Sequence, residues 1–125
     1  MILLDTSVLI AALCGARRSA TALRGAIEEG QRIRLPSLVL YEWLRGPRLD
    51  EELAVQEALF PAREAVVFGA SEAATAAELY ASVARPRGRE IDLALAATAL
   101  VHEASLWTLN ERDFSDLPGL DLYRA

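Results

Sequence analysis

The sequence predicts an α/β fold: a three-layer α/β/α sandwich around a mainly parallel central sheet, formed by one domain over residues 1–125. Three observations predict it. Short apolar runs of strand length alternate along the chain with segments at helical spacing, the pattern of β-α units whose crossovers cover both faces of a sheet. The chain opens on Met1-Ile2-Leu3-Leu4 and breaks at Asp5-Thr6-Ser7 before Val8-Leu9-Ile10-Ala11-Ala12-Leu13 resumes the apolar pattern, so a buried strand should feed a capped helix. Residues 90–103 are dominated by small side chains (Ala94, Ala96, Ala97, Ala99), which let a helix lie close to a sheet.

Each element follows in order. The first helix should stop at Gly15. Residues 19–29 place Ala22, Leu23, Ala26 and Ile27 at helical spacing, with Gly30 as the stop. Residues 32–35 alternate like a short strand, closed by Pro36. Ser37 is the candidate N-cap of the next helix, and Gly46-Pro47 ends it. Residues 50–60 read as an amphipathic helix carrying Leu53, Val55, Ala58 and Leu59, able to form a protruding pair with its predecessor. Residues 64–68 are a strand candidate, and 71–85 an alanine-rich helix with Ser71 as cap. A basic loop at 85–89 precedes the small-residue helix. Residues 106–109 form a strand, 110–119 a loop and 120–123 a last short strand.

Composition narrows the function classes. With 53% hydrophobic residues the chain can pack a core, burying roughly two-thirds of its unfolded surface. No apolar run approaches the roughly 18 residues of a membrane span, and the N-terminal stretch lacks a basic region and is interrupted by Asp5, so no membrane association, no signal peptide and a cytoplasmic location are expected. The single Cys14 and single His102 argue against a disulfide framework or a His/Cys zinc site; they read as a buried small residue and a surface residue. Net charge is −5, which disfavours non-specific adhesion to nucleic acid. All thirteen basic residues are arginine.

Four acidic stations stand out. Asp5 falls at the carboxyl end of a central strand, where open α/β sheets bind ligands, although a helix cap explains it equally well. Glu42 is the only charge between Arg34 and Arg45, in a helix that looks apolar on nearly every side; a buried carboxylate needs a partner, either an arginine or a cation. Asp92 lies in the first turn of a helix, a place acids also take for the macrodipole alone. Asn110 and Asp113 follow the strand containing Thr108, where such residues also shape turns.

Taken together, Leu3-Leu4-Asp5-Thr6-Ser7-Val8, Leu38-Val39-Leu40-Tyr41-Glu42, Ile91-Asp92-Leu93-Ala94-Leu95-Ala96-Ala97-Thr98-Ala99 and Trp107-Thr108-Leu109-Asn110-Glu111-Arg112-Asp113-Phe114 resemble the PIN-domain ribonucleases, most closely the VapC-type toxins of toxin–antitoxin pairs. The resemblance runs over nearly the whole chain in order and spacing. It implies a metal-dependent endoribonuclease of PIN-like fold, with Asp5, Glu42 and Asp92 as core acids. Asp113 is the fourth, although some relatives carry that acid where Asn110 stands. It also implies a homodimer, an RNA substrate and an antitoxin whose peptide covers the cleft; the 37–60 region is a candidate surface for both protein partners, or ordinary core.

Hard oxygen ligands suit Mg2+ or Mn2+, and divalent ions held by carboxylates activate water and neutralise phosphate charge. On this reading Asp5 and Asp92 bind metal directly, Glu42 directly or through water, and Asp113 completes the outer site. Thr6, Ser7, Thr108 and Asn110 orient ligands or waters. Arg87, Arg89 and Arg112 are candidates for RNA phosphate contacts, or simply solvated loop arginines. Receiver domains and haloacid-dehalogenase-like phosphatases also place an aspartate after strand one, but they normally rely on a lysine, and the latter expect Asp-x-Asp. A PIN-like RNA- or protein-binding module without catalysis is the alternative of another class.

Overall fold

The computed structural model describes residues 1–125. Strand β1 (Ile2–Leu4) lies between β2 (Ile33–Arg34) and β3 (Ser105–Trp107) in a parallel sheet. Leu3 stands opposite Arg34 on one side and Leu106 on the other.

β1 is apolar at every position because both of its faces are covered. Ile2 and Leu4 enter one core with Val8 and Leu9 of α1 (Thr6–Leu13), Leu23 and Ala26 of α2 (Ala20–Glu28), and Val39 and Trp43 of α3 (Ser37–Arg45). Leu3 enters the opposite core with Leu79 of α5 (Ala70–Ser82) and Leu93, Ala96, Ala97 and Ala99 of α6 (Glu90–Val101). β3 alternates in the same way, Trp107 toward the first core and Leu106 toward the second. The three layers of the sequence reading are thus two cores divided by one sheet. The chain passes from β1 to β2 on one side and later returns to β3 on the other, so the strand order reverses at β1 and opens a crevice beyond the carboxyl ends of β1 and β3.

The sheet is shorter than the sequence suggested. Residues 64–68 do not form a strand: Ala62–Glu64 is a 3₁₀ turn, and Val66 alone bridges Pro36. Val66 donates to the Leu35 carbonyl and accepts from the Ser37 amide, but Pro36 has no N–H and α3 begins at Ser37, so the partner strand stops. At the other edge only Leu122 bridges, to Leu106, because β3 itself is three residues long and ends at Trp107.

Two capping assignments also change. Ser37 is the first residue of α3 rather than its cap, and its hydroxyl accepts from the Phe68 amide at 3.1 Å. The start of α5 is capped by Glu72, whose carboxylate accepts from the Gly69 amide, instead of by Ser71. The other Glu72 oxygen lies 3.0 Å from His102 Nε2, tying the start of α5 to the end of α6. The amides of Glu72 itself and Gly69, with His102, hold this carboxyl below its usual range. His102 is therefore exposed but partnered, and Cys14 is only half-buried.

Helix α4 (Asp50–Leu59) turns Gln56 inward, where its amide donates to the Phe60 carbonyl, and leaves Val55 and Leu59 exposed. Tyr41 and Leu44 of α3 are exposed as well, so α3 is not the all-round apolar helix its sequence suggested. No helix is long and apolar enough to cross a membrane. Because Leu3 is fully buried at the centre of the sheet, Leu3→Ala should lower unfolding free energy by about 2–5 kcal/mol, read as a reduced guanidinium midpoint with unchanged slope.

Candidate active site

Asp5 stands one residue beyond β1, its amide still in the ladder to the Trp107 carbonyl at 2.9 Å. Its backbone is extended, and its carbonyl accepts from Val8 as α1 begins. Carboxylate Oδ1 accepts from the Thr6 amide at 2.8 Å. Oδ2 accepts from the Ser7 hydroxyl at 2.9 Å and the Thr108 hydroxyl at 2.7 Å. The two hydroxyls act again as acceptors: Ser7 Oγ from the Leu109 amide and Thr108 Oγ1 from the Asn110 amide, each at 3.0 Å. Asp5, Ser7 and Thr108 thereby fasten the exit of β3 to the start of α1. Asp5 is buried while so engaged.

Glu42 projects from α3 and is half-buried. Its Oε1 accepts from the Thr6 hydroxyl at 2.7 Å, and Oε2 lies 3.6 Å from Arg45 Nη2 one turn on. The arginine partner anticipated for it is present, but Arg45 is itself mostly exposed and the contact is long; the Thr6 hydroxyl is a partner the sequence did not suggest.

Asp92 occupies the first turn of α6. Burial first, then the charges of Asp5, Asp113 and Glu42, push its carboxyl up to about 6 against an ordinary 3.8, and Arg89 opposes this. Four acids from four separate parts of the chain therefore share one field beyond the sheet edge. Asp113 is exposed on a 3₁₀ turn (Glu111–Phe114) that Phe114 anchors in the second core. Asn110 immediately precedes that turn and accepts from the Asp113 amide through its carbonyl. Arg87 and Arg112 are exposed.

Arg89 is placed differently from the other loop arginines. Its guanidinium makes a paired contact with Asp116, at 2.9 and 2.7 Å, and a third with the Asp113 carbonyl at 3.0 Å. Asp116 carried no signal in the sequence beyond being one more loop acid.

The donors here are all oxygen, which fits a hard divalent cation, and the repulsion that adds to burial in raising Asp92 is what such a cation would relieve. No three of the acids close into a direct coordination set on their own. Thr6 and Glu42, 36 positions apart in sequence, are bridged by a hydroxyl rather than by a shared carboxylate contact.

A sheet whose order reverses at β1, with an acidic crevice at its carboxyl edge, accords with the comparison to known proteins: the chain belongs to the PIN domain family, whose model matches residues 2–120. Among curated relatives it is 35% identical over 123 residues to Ribonuclease VapC19 of Mycobacterium tuberculosis, covering 96% of this chain and 97% of that protein. The fold also matches VapBC of Salmonella typhimurium in its DNA-bound crystal structure (TM-score 0.79, 22% identity, 98% of this chain and 96% of that one). A toxin–antitoxin complex from Klebsiella pneumoniae matches over 100% of both chains with TM-score 0.74 and 24% identity.

The raised Asp92 carboxyl has a consequence for stability. Between its ordinary 3.8 and about 6 the folded protein holds this proton more tightly than the unfolded chain, so the contribution is complete below the lower value and lost as pH rises through the upper one. In metal-free buffer Asp92→Asn should therefore gain stability relative to wild type across that window, seen as a growing difference in denaturant midpoint.

Proposed function

We propose that this protein is an endoribonuclease that hydrolyses RNA phosphodiester bonds with the help of Mg2+ or Mn2+, and that it is the toxin of a toxin–antitoxin pair. The observation that carries the reading is the gathering of Asp5, Glu42, Asp92 and Asp113 at the sheet's switch point, where burial first, and then the charges of the other three acids, lift the Asp92 carboxyl to about 6. Similarity to a relative named as a ribonuclease, over 96% of the chain, supports it.

Asp5, Glu42, Asp92 and Asp113 are the residues that would hold the ion, in part through water, since Mg2+ sheds its hydration reluctantly. When bound, the ion supplies charge neutralisation on the phosphate and a lower pKa for an attacking water. The chain's own residues do the positioning. Thr108 and Ser7 hold Asp5 Oδ2, the Thr6 amide holds Oδ1, and the Thr6 hydroxyl fixes Glu42, so neither carboxylate can swing freely. Asn110, held through its amide by Thr108, stands at the mouth of the turn that carries Asp113. In hydrolysis the water oxygen bonds to phosphorus as the bond to the leaving sugar oxygen breaks, and a proton passes to that oxygen. Arg87 and Arg112 are exposed and are candidates to meet RNA phosphates.

The protein partners follow the same reading. An antitoxin peptide presenting arginine would pair with the acids, and the exposed Tyr41, Leu44, Leu49, Val55 and Leu59 along α3 and α4 supply apolar surface for it and for a second copy of the chain. Light scattering at micromolar concentration should give the mass of a homodimer; a monomer would count against that part.

Asp5→Asn is the decisive variant for the activity. Asparagine is as good an N-cap as aspartate, so circular dichroism should keep its native form, while the melting temperature falls because an amide nitrogen replaces one of the two buried carboxylate oxygens that accept from Thr6, Ser7 and Thr108. Metal-dependent RNA cleavage should fall by a factor on the order of 10² or more, and unaltered cleavage would remove Asp5 from the site.

A further inference from the structure

We propose that Arg89 and Asp116 form a clamp that fixes the turn carrying Asp113 against the start of α6, which makes Arg89 a positioning residue of the acidic site instead of an RNA phosphate contact. The inference rests on the ribonuclease reading of that site.

Arg89 is built into α6 through its backbone. Its amide donates to the Pro86 carbonyl at 3.0 Å and its carbonyl accepts from Leu93 at 2.9 Å, three residues ahead of Asp92. From this fixed base both terminal nitrogens of the guanidinium are engaged. Nη1 reaches Asp116 Oδ2, while Nη2 reaches Asp116 Oδ1 and the Asp113 carbonyl. A paired guanidinium–carboxylate contact is the strong, oriented kind, and with the Asp113 carbonyl it commits three of the five guanidinium N–H donors to the protein itself. The Arg89 side chain is only 23% exposed, less than half the figure for Asp116, so it lies beneath the turn rather than reaching past it.

The turn needs such a tie. It is four residues of 3₁₀ helix, a geometry with weak internal hydrogen bonds, and its last bond, Ser115 amide to Arg112 carbonyl, is stretched to 3.5 Å. Phe114 and Leu117 seat the turn on the second core. The bond to the Asp113 carbonyl adds a polar tie that joins the backbone of that residue to the start of α6. Asp116 in turn holds the guanidinium in the one orientation that reaches this carbonyl. The Arg89 charge also lies close enough to Asp92 and Asp113 for each to feel it, placing a fixed cation behind the acids.

The test compares Arg89→Ala, Asp116→Ala, the double variant and Arg89→Lys by amide hydrogen exchange on metal-free protein and by steady-state RNA cleavage. The clamp requires faster exchange over residues 110–117 in both single alanine variants. It also requires kcat lowered about 10–100-fold in each, KM little changed, and a double variant no worse than either single. Arg89→Lys keeps the charge and loses the fork, so it should fall with Arg89→Ala. Full kcat in Asp116→Ala overturns the clamp. So does a raised KM in Arg89→Ala with exchange in the turn unaltered, which is the signature of a phosphate contact. If the wild-type chain cleaves no RNA, the ribonuclease reading fails by itself, and the exchange measurement still decides whether the clamp exists.

Discussion

The hydrogen bonds converging on the Asp5 carboxylate join two parts of the fold that the chain delivers separately, the β1–α1 junction and the exit of β3. The Thr6 amide belongs to α1, the Ser7 hydroxyl to the same first turn, and the Thr108 hydroxyl arrives from the exit of β3 more than a hundred residues later. Because each hydroxyl also accepts an amide from the 109–110 segment, the junction closes as a small network with its polar atoms paired. A buried carboxylate in an apolar surround is tolerable only on those terms. The same pairing that permits Asp5 to be buried also fixes its orientation, so the demands of folding and of the site are met by one set of bonds.

The acids share a location for a reason rooted in the fold. In a parallel sheet every strand ends on the same edge, and each following helix begins there, so helix N-termini gather where the strands stop. Asp5 caps α1, and Asp92 sits in the first turn of α6. The modest explanation of each residue as a helix-start acid and its place in an acidic site are therefore the same geometry seen locally and globally. Gathering them has a cost, visible in the raised Asp92 carboxyl, and Arg89 offsets only part of it. The two apolar cores on either side of β1 hold the arrangement in place against that repulsion.

Most of the architecture was legible because burial on both faces leaves an unmistakable mark. Ile2-Leu3-Leu4 is apolar throughout, and the alanines of α6 announce a helix pressed against a sheet. The misreadings fall where tertiary partners end an element. Residues 64–68 have the composition of a strand, but pairing stops at Val66 because its neighbour turns into α3 just after a proline. Ser37 and Ser71 look like caps, yet Ser37 bonds to Phe68 and the cap of α5 is made by Glu72. Local preference proposes a cap, and whichever partner packs closer decides it.

By itself the sequence determined the alternation of strands and helices, the three-layer class and the four acidic stations, because hydrophobic period and charge interruptions are local properties of the chain. Tertiary structure alone decided what those stations touch. Thr6 links Asp5's helix to Glu42, Thr108 closes on Asp5 across the sheet, and Arg89 is spent on Asp116 instead of standing free. These pairings join residues up to 103 positions apart. No local pattern encodes them, since they depend on the order in which β2, β1 and β3 are laid side by side.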